Sequence, residues 1–153
     1  EIEKSLNQLD FIESFSLKKK YPNTLKIFIV EKKPIAILQN KKEKKYYTNN
    51  DEAINFVYLK KFKDLPTVFG DQKSFKKFYN DLKKTNFPLE EIQTFFLFDA
   101  QRWDIVTIKN QVIKLPINDY DYSLENFMYI KNQANFKKYK IFDYRIENQL
   151  ILK

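Results

Sequence analysis

The sequence predicts an α+β fold with an antiparallel-rich sheet, and three observations predict it. Apolar residues recur at helical spacing in three segments, most clearly as Phe75, Phe78, Tyr79 and Leu82. Many shorter segments alternate apolar and polar residues, from "SFSLKKK" near the start to "LILK" at the end. Turn chemistry separates these segments at short intervals, as in "YPNT", "NKKEKK" and "NNDE". With 43% hydrophobic residues in 153 positions, the chain can bury a core of its own and does not read as disordered. No apolar run reaches the roughly 18 residues that a membrane-crossing helix needs.

Ile2, Leu6 and Leu9 open the chain at helical spacing, and a helix that starts before Glu1 is expected there. Phe15 and Leu17 then mark a half-buried strand. In "YPNT", Pro22 fixes its own φ and Asn23 tolerates the tight position, which predicts a hairpin turn. Leu25, Ile27 and Ile29 alternate with Lys26, Phe28 and Val30. Both faces of that strand are apolar, so it is expected to be covered on both sides or to meet a second layer. Pro34 lacks a ladder donor and marks an edge or a change of sheet before the strand "IAIL".

"NKKEKK" is an exposed hairpin tip, and Tyr46, Tyr47 and Thr48 return as strand. Two adjacent strand residues point to opposite faces, so one of the two tyrosines is expected at the surface. Pro66 and the single glycine, Gly70, punctuate a loop. A helix follows, with Asp71 or Ser74 placed to cap it. "IQTFFLF", "RWDIVTI" and "VIKLP" are strands, the last two joined at Lys109, Asn110 and Gln111. A second long helix runs from about Ser123 to Gln133, with Leu124, Phe127 and Met128 inward. "KIFDYRI" and "LILK" close the chain as strands. A domain boundary is expected near Gln39, dividing residues 1–38 from 39–153.

Composition excludes most catalytic classes. The chain has no His and no Cys, which removes imidazole bases, thiol nucleophiles and the usual zinc ligands. One glycine cannot build a phosphate loop. The acidic pairs Asp119 with Asp121 and Glu90 with Glu91 sit in polar surface segments and read as solvated. No catalytic residue, cofactor or metal is expected. The net charge is +8, yet only Arg102 and Arg145 of the 28 basic residues are arginines. Such a lysine bias, beside abundant Asn, Ile, Phe and Tyr, fits an AT-rich coding sequence. The alternative is a single-stranded nucleic-acid module, because "SLKKKY", "NKKEKKYY" and "ANFKKYK" mix lysines with aromatics. Scarcity of arginine weighs against it, and no nucleic-acid partner is expected.

The stretch "KKYPNTLKIFIVEKKPIAIL" resembles the FtsQ family of bacterial cell-division proteins, whose POTRA domain ends in an aromatic-Pro-x-x-Leu turn, an alternating strand and a Glu-x-x-Pro-x-Ala exit. The matching positions are Tyr21, Pro22, Leu25, Glu31, Pro34 and Ala36. In the same order, "LPTVFG" resembles the family's L-P-x-L-x-G, and "RWDIVTIKNQVIKLP" its R-W strand, turn and second strand, with Gln111 where a glycine is usual. "IFDYRIENQLILK" resembles its terminal D-L-R-Y hairpin.

The resemblance implies a partial POTRA domain, helix plus β-hairpin, followed by an antiparallel-rich β domain with helices packed on it. It implies that the POTRA domain's first strand and helix, a transmembrane anchor and a cytoplasmic tail precede Glu1. It also implies a non-enzymatic scaffold on the periplasmic side of the inner membrane at the division septum. FtsB-like and FtsL-like proteins are the implied partners, with other divisome proteins contacting the POTRA part. Strand addition at an unprotected C-terminal edge is the mechanism that fits, carried by Ile146, Leu150, Ile151 and Leu152. An interior position for that strand is the competing reading. Arg102 and Arg145 are the positions that correspond to the family's partner-facing arginines. Two arginines kept among so many lysines suggest a bidentate fork for a carboxylate, either on a partner or within the chain, as with Asp143 or Glu147.

Overall fold

The structure, a computed structural model, describes residues 2–153. Helix α1 (Ile2–Asn7) leads into a hairpin of β1 (Ile12–Lys20) and β2 (Thr24–Glu31), which form a two-stranded sheet of their own. The expected extension of α1 to Glu1 and beyond lies outside the described residues. The chain then changes sheet at Lys32 and Lys33. Strands β3 (Pro34–Gln39), β4 (Lys44–Thr48), β5 (Ala53–Asn55), β6 (Thr67–Phe69), β7 (Ile92–Leu97), β8 (Trp103–Thr107), β9 (Val112–Lys114), β10 (Ile141–Asp143) and β11 (Ile151–Leu152) build one sheet. Their spatial order is β11-β10-β9-β8-β7-β6-β3-β4-β5. Helices α2 (Gln72–Lys84) and α3 (Asp121–Ile130) lie on it. Pro34–Leu38, expected in the first unit, pair with β4 and β6 of this sheet.

The sheet is mixed. Five of its strand pairs are antiparallel, and β3–β6, β6–β7 and β9–β10 are parallel. Two of the three parallel pairs, β6–β7 and β9–β10, follow from the helices. Connections through α2 and α3 return the chain in the direction of the strand it left, as parallel pairing requires.

One row of side chains defines the core. Leu38, Val68, Phe95, Ile105, Ile113, Phe142 and Leu152 follow one another in register across seven strands. Phe75, Phe78 and Leu82 of α2 and Leu124 and Phe127 of α3 close over that row and are fully buried. The Asp71 carboxylate accepts from the Ser74 amide at 2.9 Å and so caps α2. Phe78 stacks on Trp103 at 4.8 Å between ring centroids, with the planes 6° apart. Trp103 is therefore a core residue.

The lone glycine serves close approach rather than a turn. A Cβ on Gly70 would lie 3.0 Å from Leu97 Cβ and 3.0 Å from the Trp103 ring. The left-handed backbone positions fall instead to Asp51, Asn86, Gln101, Asn110, Asp119 and Asn148. Asn and Asp tolerate that region best among side-chain-bearing residues. This explains how the 109–111 turn forms with Gln111 where a glycine was expected: Asn110 takes the positive φ, at 59°.

Two expectations need correction. Tyr46 and Tyr47 point to opposite faces of β4, but both are buried. Tyr47 meets Phe75 of α2, while Tyr46 lies against Phe11, Phe56 and Phe62 and donates to the Val57 carbonyl at 2.9 Å. The hairpin's approach and the loop after β5 cover the second face, which local periodicity does not register. The second correction concerns β2, expected to be covered on both sides. Every residue of it is exposed, because β1 is its only partner and no second layer lies against it among the described residues.

Candidate functional site

The edge of the large sheet at β11 gathers most of the residues that the sequence singled out. β11 has one neighbour, β10. Ile141 and Lys153 exchange both backbone hydrogen bonds, at 2.8 and 3.1 Å. In an antiparallel ladder the next residue along points its amide and carbonyl the other way. The N–H and C=O of Leu152 therefore face outward from the sheet, unpaired within it. Its side chain, and that of Leu150, pack on the core. Ile151 pairs with Asp143 and turns its side chain to the opposite face, 36% exposed. Ile146 is not on the strand. It lies exposed in the loop between β10 and β11, where the Gln149 amide bonds its carbonyl.

The opposite edge is different. β5 ends at Asn55, whose side-chain amide donates to the Asp10 carboxylate at 2.6 Å. Of the two ends of the sheet, β11 is the one that carries apolar residues alone.

A charge row runs up to β11 on the face turned away from the helices. Phe69, Phe96, Asp104, Lys114, Asp143 and Ile151 are in register across β6–β11. Phe69 and Phe96 stack at 4.9 Å. Arg102 binds Asp104, and its guanidinium lies 4.4 Å over the Phe98 ring. Arg145 grips Asp143 with Nε at 2.8 Å and Nη2 at 2.6 Å. Both arginines thus bind aspartates two residues away, Arg145 with two arms of its fork and Arg102 through Nη1 alone, and the internal ion pair is the arrangement observed. Arg102 is 85% covered at its side chain, with 15% left accessible, whereas Arg145 keeps 46%.

The two aspartates differ in their protonation. Arg145 holds the Asp143 carboxyl below its ordinary value. Burial pushes Asp104 up, against the pull of Arg102, Lys114 and Arg145. Elsewhere, Tyr47 and Lys76 hold Asp51 down, and Tyr120 and Lys84 hold Asp81 down. For Asp71, burial pushes upward but the Ser74 hydrogen bonds outweigh it, and the carboxyl is lowered. A lowered carboxyl stabilises the fold above its unfolded value, about 3.9, and that contribution is lost as pH falls through the folded value. A raised one does the reverse, favouring the fold on protonation above that value. Urea midpoints are therefore expected to hold or rise slightly from neutral pH toward 4, then fall steeply, and Asp104→Asn should remove the rise. A steady decline between pH 7 and pH 5 would contradict the assignment.

A groove of about 720 Å³ lies beside this edge, between the start of α3 and the loop 144–150, with Tyr122, Asn126, Arg145 and Leu150 on its walls. The Tyr144 hydroxyl donates to Asn126 at 2.9 Å and ties the end of β10 to α3. Among the described residues no cluster of acidic groups could hold a metal, and no helix is long and apolar enough to cross a membrane.

Two-residue spacing alone sets Arg102 beside Asp104 and Arg145 beside Asp143, each pair on one face. Lys114 and Asp104 were missed, because only the register brings them together.

No family model matches the chain. Three curated relatives do, all called cell division protein FtsQ. That of Blochmanniella floridana is 29% identical over 74% of this chain and 45% of its own length. That of Rhizobium meliloti is 22% identical over 78% and 39%, and that of Aliivibrio fischeri 26% over 90% and 54%. The chain is similar to FtsQ cell-division proteins over most of its own length. It spans about half the length of the relatives it matches. Among solved structures, the major extracytoplasmic domain of the trans isomer of the cell division protein DivIB from Geobacillus stearothermophilus is similar at 12% identity. That likeness has a TM-score of 0.46 and covers 69% of this chain and 96% of the other.

Proposed function

We propose that the chain is the extracytoplasmic part of a non-enzymatic cell-division scaffold on the periplasmic side of the inner membrane at the septum. It holds FtsB-like and FtsL-like proteins and, through them, helps control septal peptidoglycan synthesis. α1 and the β1–β2 hairpin are elements of a POTRA domain and contact other divisome proteins. The docking event is strand addition: a partner strand pairs with the outward groups of Leu152, beside the Ile151 side chain and the charge row. The observation that carries this reading is the one-sided pairing of β11 at the end of the large sheet. Similarity to three proteins called cell division protein FtsQ supports the cellular role.

Arg145 supplies the polar contact. Its fork holds Asp143, and the exposed remainder of the guanidinium is free to meet a partner carboxylate. Reversing it to Glu would set two carboxylates against each other beside the core, so Arg145→Gln is the cleaner change. Binding of the periplasmic segment of an FtsB-like protein, read by pull-down and calorimetry, is expected to weaken about tenfold in that variant. Thermal stability should fall by about 1–3 kcal/mol, since Arg145 is half open to solvent but the Asp143 carboxylate it leaves is buried. Absence of wild-type binding, together with salt-dependent capture of single-stranded DNA, would overturn the reading.

A further inference from the structure

The groove between α3 and the loop 144–150 carries polar groups that the chain itself does not use. Ser123 lies on its wall and is only 5% exposed. The Ser123 hydroxyl has no hydrogen-bond partner among the described residues. Every fully buried side-chain oxygen or nitrogen among them does have one. This hydroxyl therefore reaches the small surface its residue keeps, at the groove wall. Asn126 accepts from the Tyr144 hydroxyl through Oδ1 and keeps its Nδ2 donors. Asn118, Asn148 and Gln149 add three amide side chains that bond nothing in the described chain. The Tyr122 ring, on the same wall, is 72% exposed.

The groove lies at the β11 end of the sheet. The β1–β2 hairpin joins the opposite end, where Phe11 meets Tyr46 of β4 and Asp10 meets Asn55 of β5. The further strand and helix expected before Glu1 belong to the hairpin's unit, at that opposite end. Lys153 pairs with Ile141, at the other end of the β10–β11 ladder from Tyr144 and Leu150, so the last described residue also lies away from the groove.

Charge selects the ligand. Asp119 and Glu147 set two carboxylates against the one guanidinium of Arg145. The carboxylates repel an anion, and the guanidinium opposes a cation. A neutral ligand that both donates and accepts meets neither penalty. We propose that the groove binds a glycan built of N-acetylated sugars. A sugar ring has an apolar C–H face and a rim of hydroxyls. The C–H face suits the Tyr122 ring, whose π face is negative. Each rim hydroxyl donates and accepts, which matches the amides, carboxylates and Ser123 hydroxyl around it. Pro116, Ile146 and Leu150 supply an apolar stretch of wall for an acetyl methyl. About 720 Å³ is room for a short oligosaccharide. The inference does not rest on strand addition at β11.

The test follows backbone amide chemical shifts of the 153-residue chain during titration with the N-acetylglucosamine tetramer, beside cellotetraose, which lacks the acetamides. Shifts are expected to gather at Tyr122, Ser123, Asn148 and Gln149. A Kd on the order of 1 mM fits a few neutral hydrogen bonds and one ring stack. Cellotetraose should bind at least about fivefold more weakly. Tyr122→Ala should weaken binding about tenfold and Ser123→Ala about fivefold. Tyr129→Ala is the control: it is 75% exposed on the same helix and outside the groove, and should change nothing. Leu152→Pro should bind the sugar as wild type, so a failure of strand addition leaves this result standing. No shift at those four amides in about 20 mM sugar would overturn the proposal. Equal binding of cellotetraose would do so too, as would an equal loss in Tyr129→Ala. Loss of the FtsB-like segment in Tyr122→Ala, with no response to sugar, would overturn it by giving the groove to the peptide partner.

Discussion

Leu152→Pro is expected to reduce binding of an FtsB-like periplasmic segment by about tenfold or more while leaving most of the folding stability in place. The reason lies in the direction of one amide. Ile141 and Lys153 already exchange their hydrogen bonds, so alternation turns the Leu152 amide outward. Proline there removes a donor that the chain itself does not use. It also places a ring where the partner backbone must approach. Leu152→Val keeps the donor and most of the side-chain packing, so it should bind nearly as wild type. Ile151→Pro gives the complementary result, because its amide faces β10 and its loss disturbs the chain's own ladder. A Leu152→Pro variant that binds normally would place the partner elsewhere.

Phe78→Ala has the largest expected effect on stability. Phe78 is 1% exposed and touches three other rings: it stacks on Trp103 and meets Tyr120 at 5.3 Å and Phe95 at 6.1 Å edge-on. Removing it opens a cavity at the junction of α2, the sheet and the segment entering α3. The Tyr120 hydroxyl, which bonds Asp81 at 2.7 Å, loses the ring that supports it. A loss of about 3–5 kcal/mol is expected for such a truncation. In a chain of this length that corresponds to a fall in Tm of roughly 10 °C, measurable by circular dichroism. A fall of only a degree or two would mean that the ring stack contributes little to holding α2 on the sheet.

The helices were legible because their signal is local. Phe75, Phe78 and Leu82 recur at the right spacing, and all three are buried in α2. Most strand positions were legible for the same reason, but β6 lies in the stretch between Pro66 and Gly70 that reads as a loop, since three residues are too few to alternate. What sequence could not supply was register and layer. Nothing local tells β6 that it lies parallel to both β3 and β7, since α2 and the long connections decide it. Tyr46 defeated the alternation rule because Phe11, far away in sequence, covers its face. In β2 an apolar pattern on both faces predicts burial, but a pattern cannot provide the layer that would bury it.

The same division holds at the candidate site. Arg102 and Arg145 stood out by scarcity, and the pairing of Arg145 with Asp143 was one of the readings open at that point. The row Asp104, Lys114 and Asp143 required the register of β8, β9 and β10. The outward turn of the Leu152 amide required the Ile141–Lys153 exchange.

Hydrogen exchange at single amides in β11, with and without the FtsB-like segment, tests strand addition most directly. The inward amides of Lys153 and Ile141 should be protected in the free chain. Leu152 should exchange freely alone and become strongly protected in the complex. Saturating partner binding with Leu152 still exchanging at its free rate would contradict strand addition at this edge.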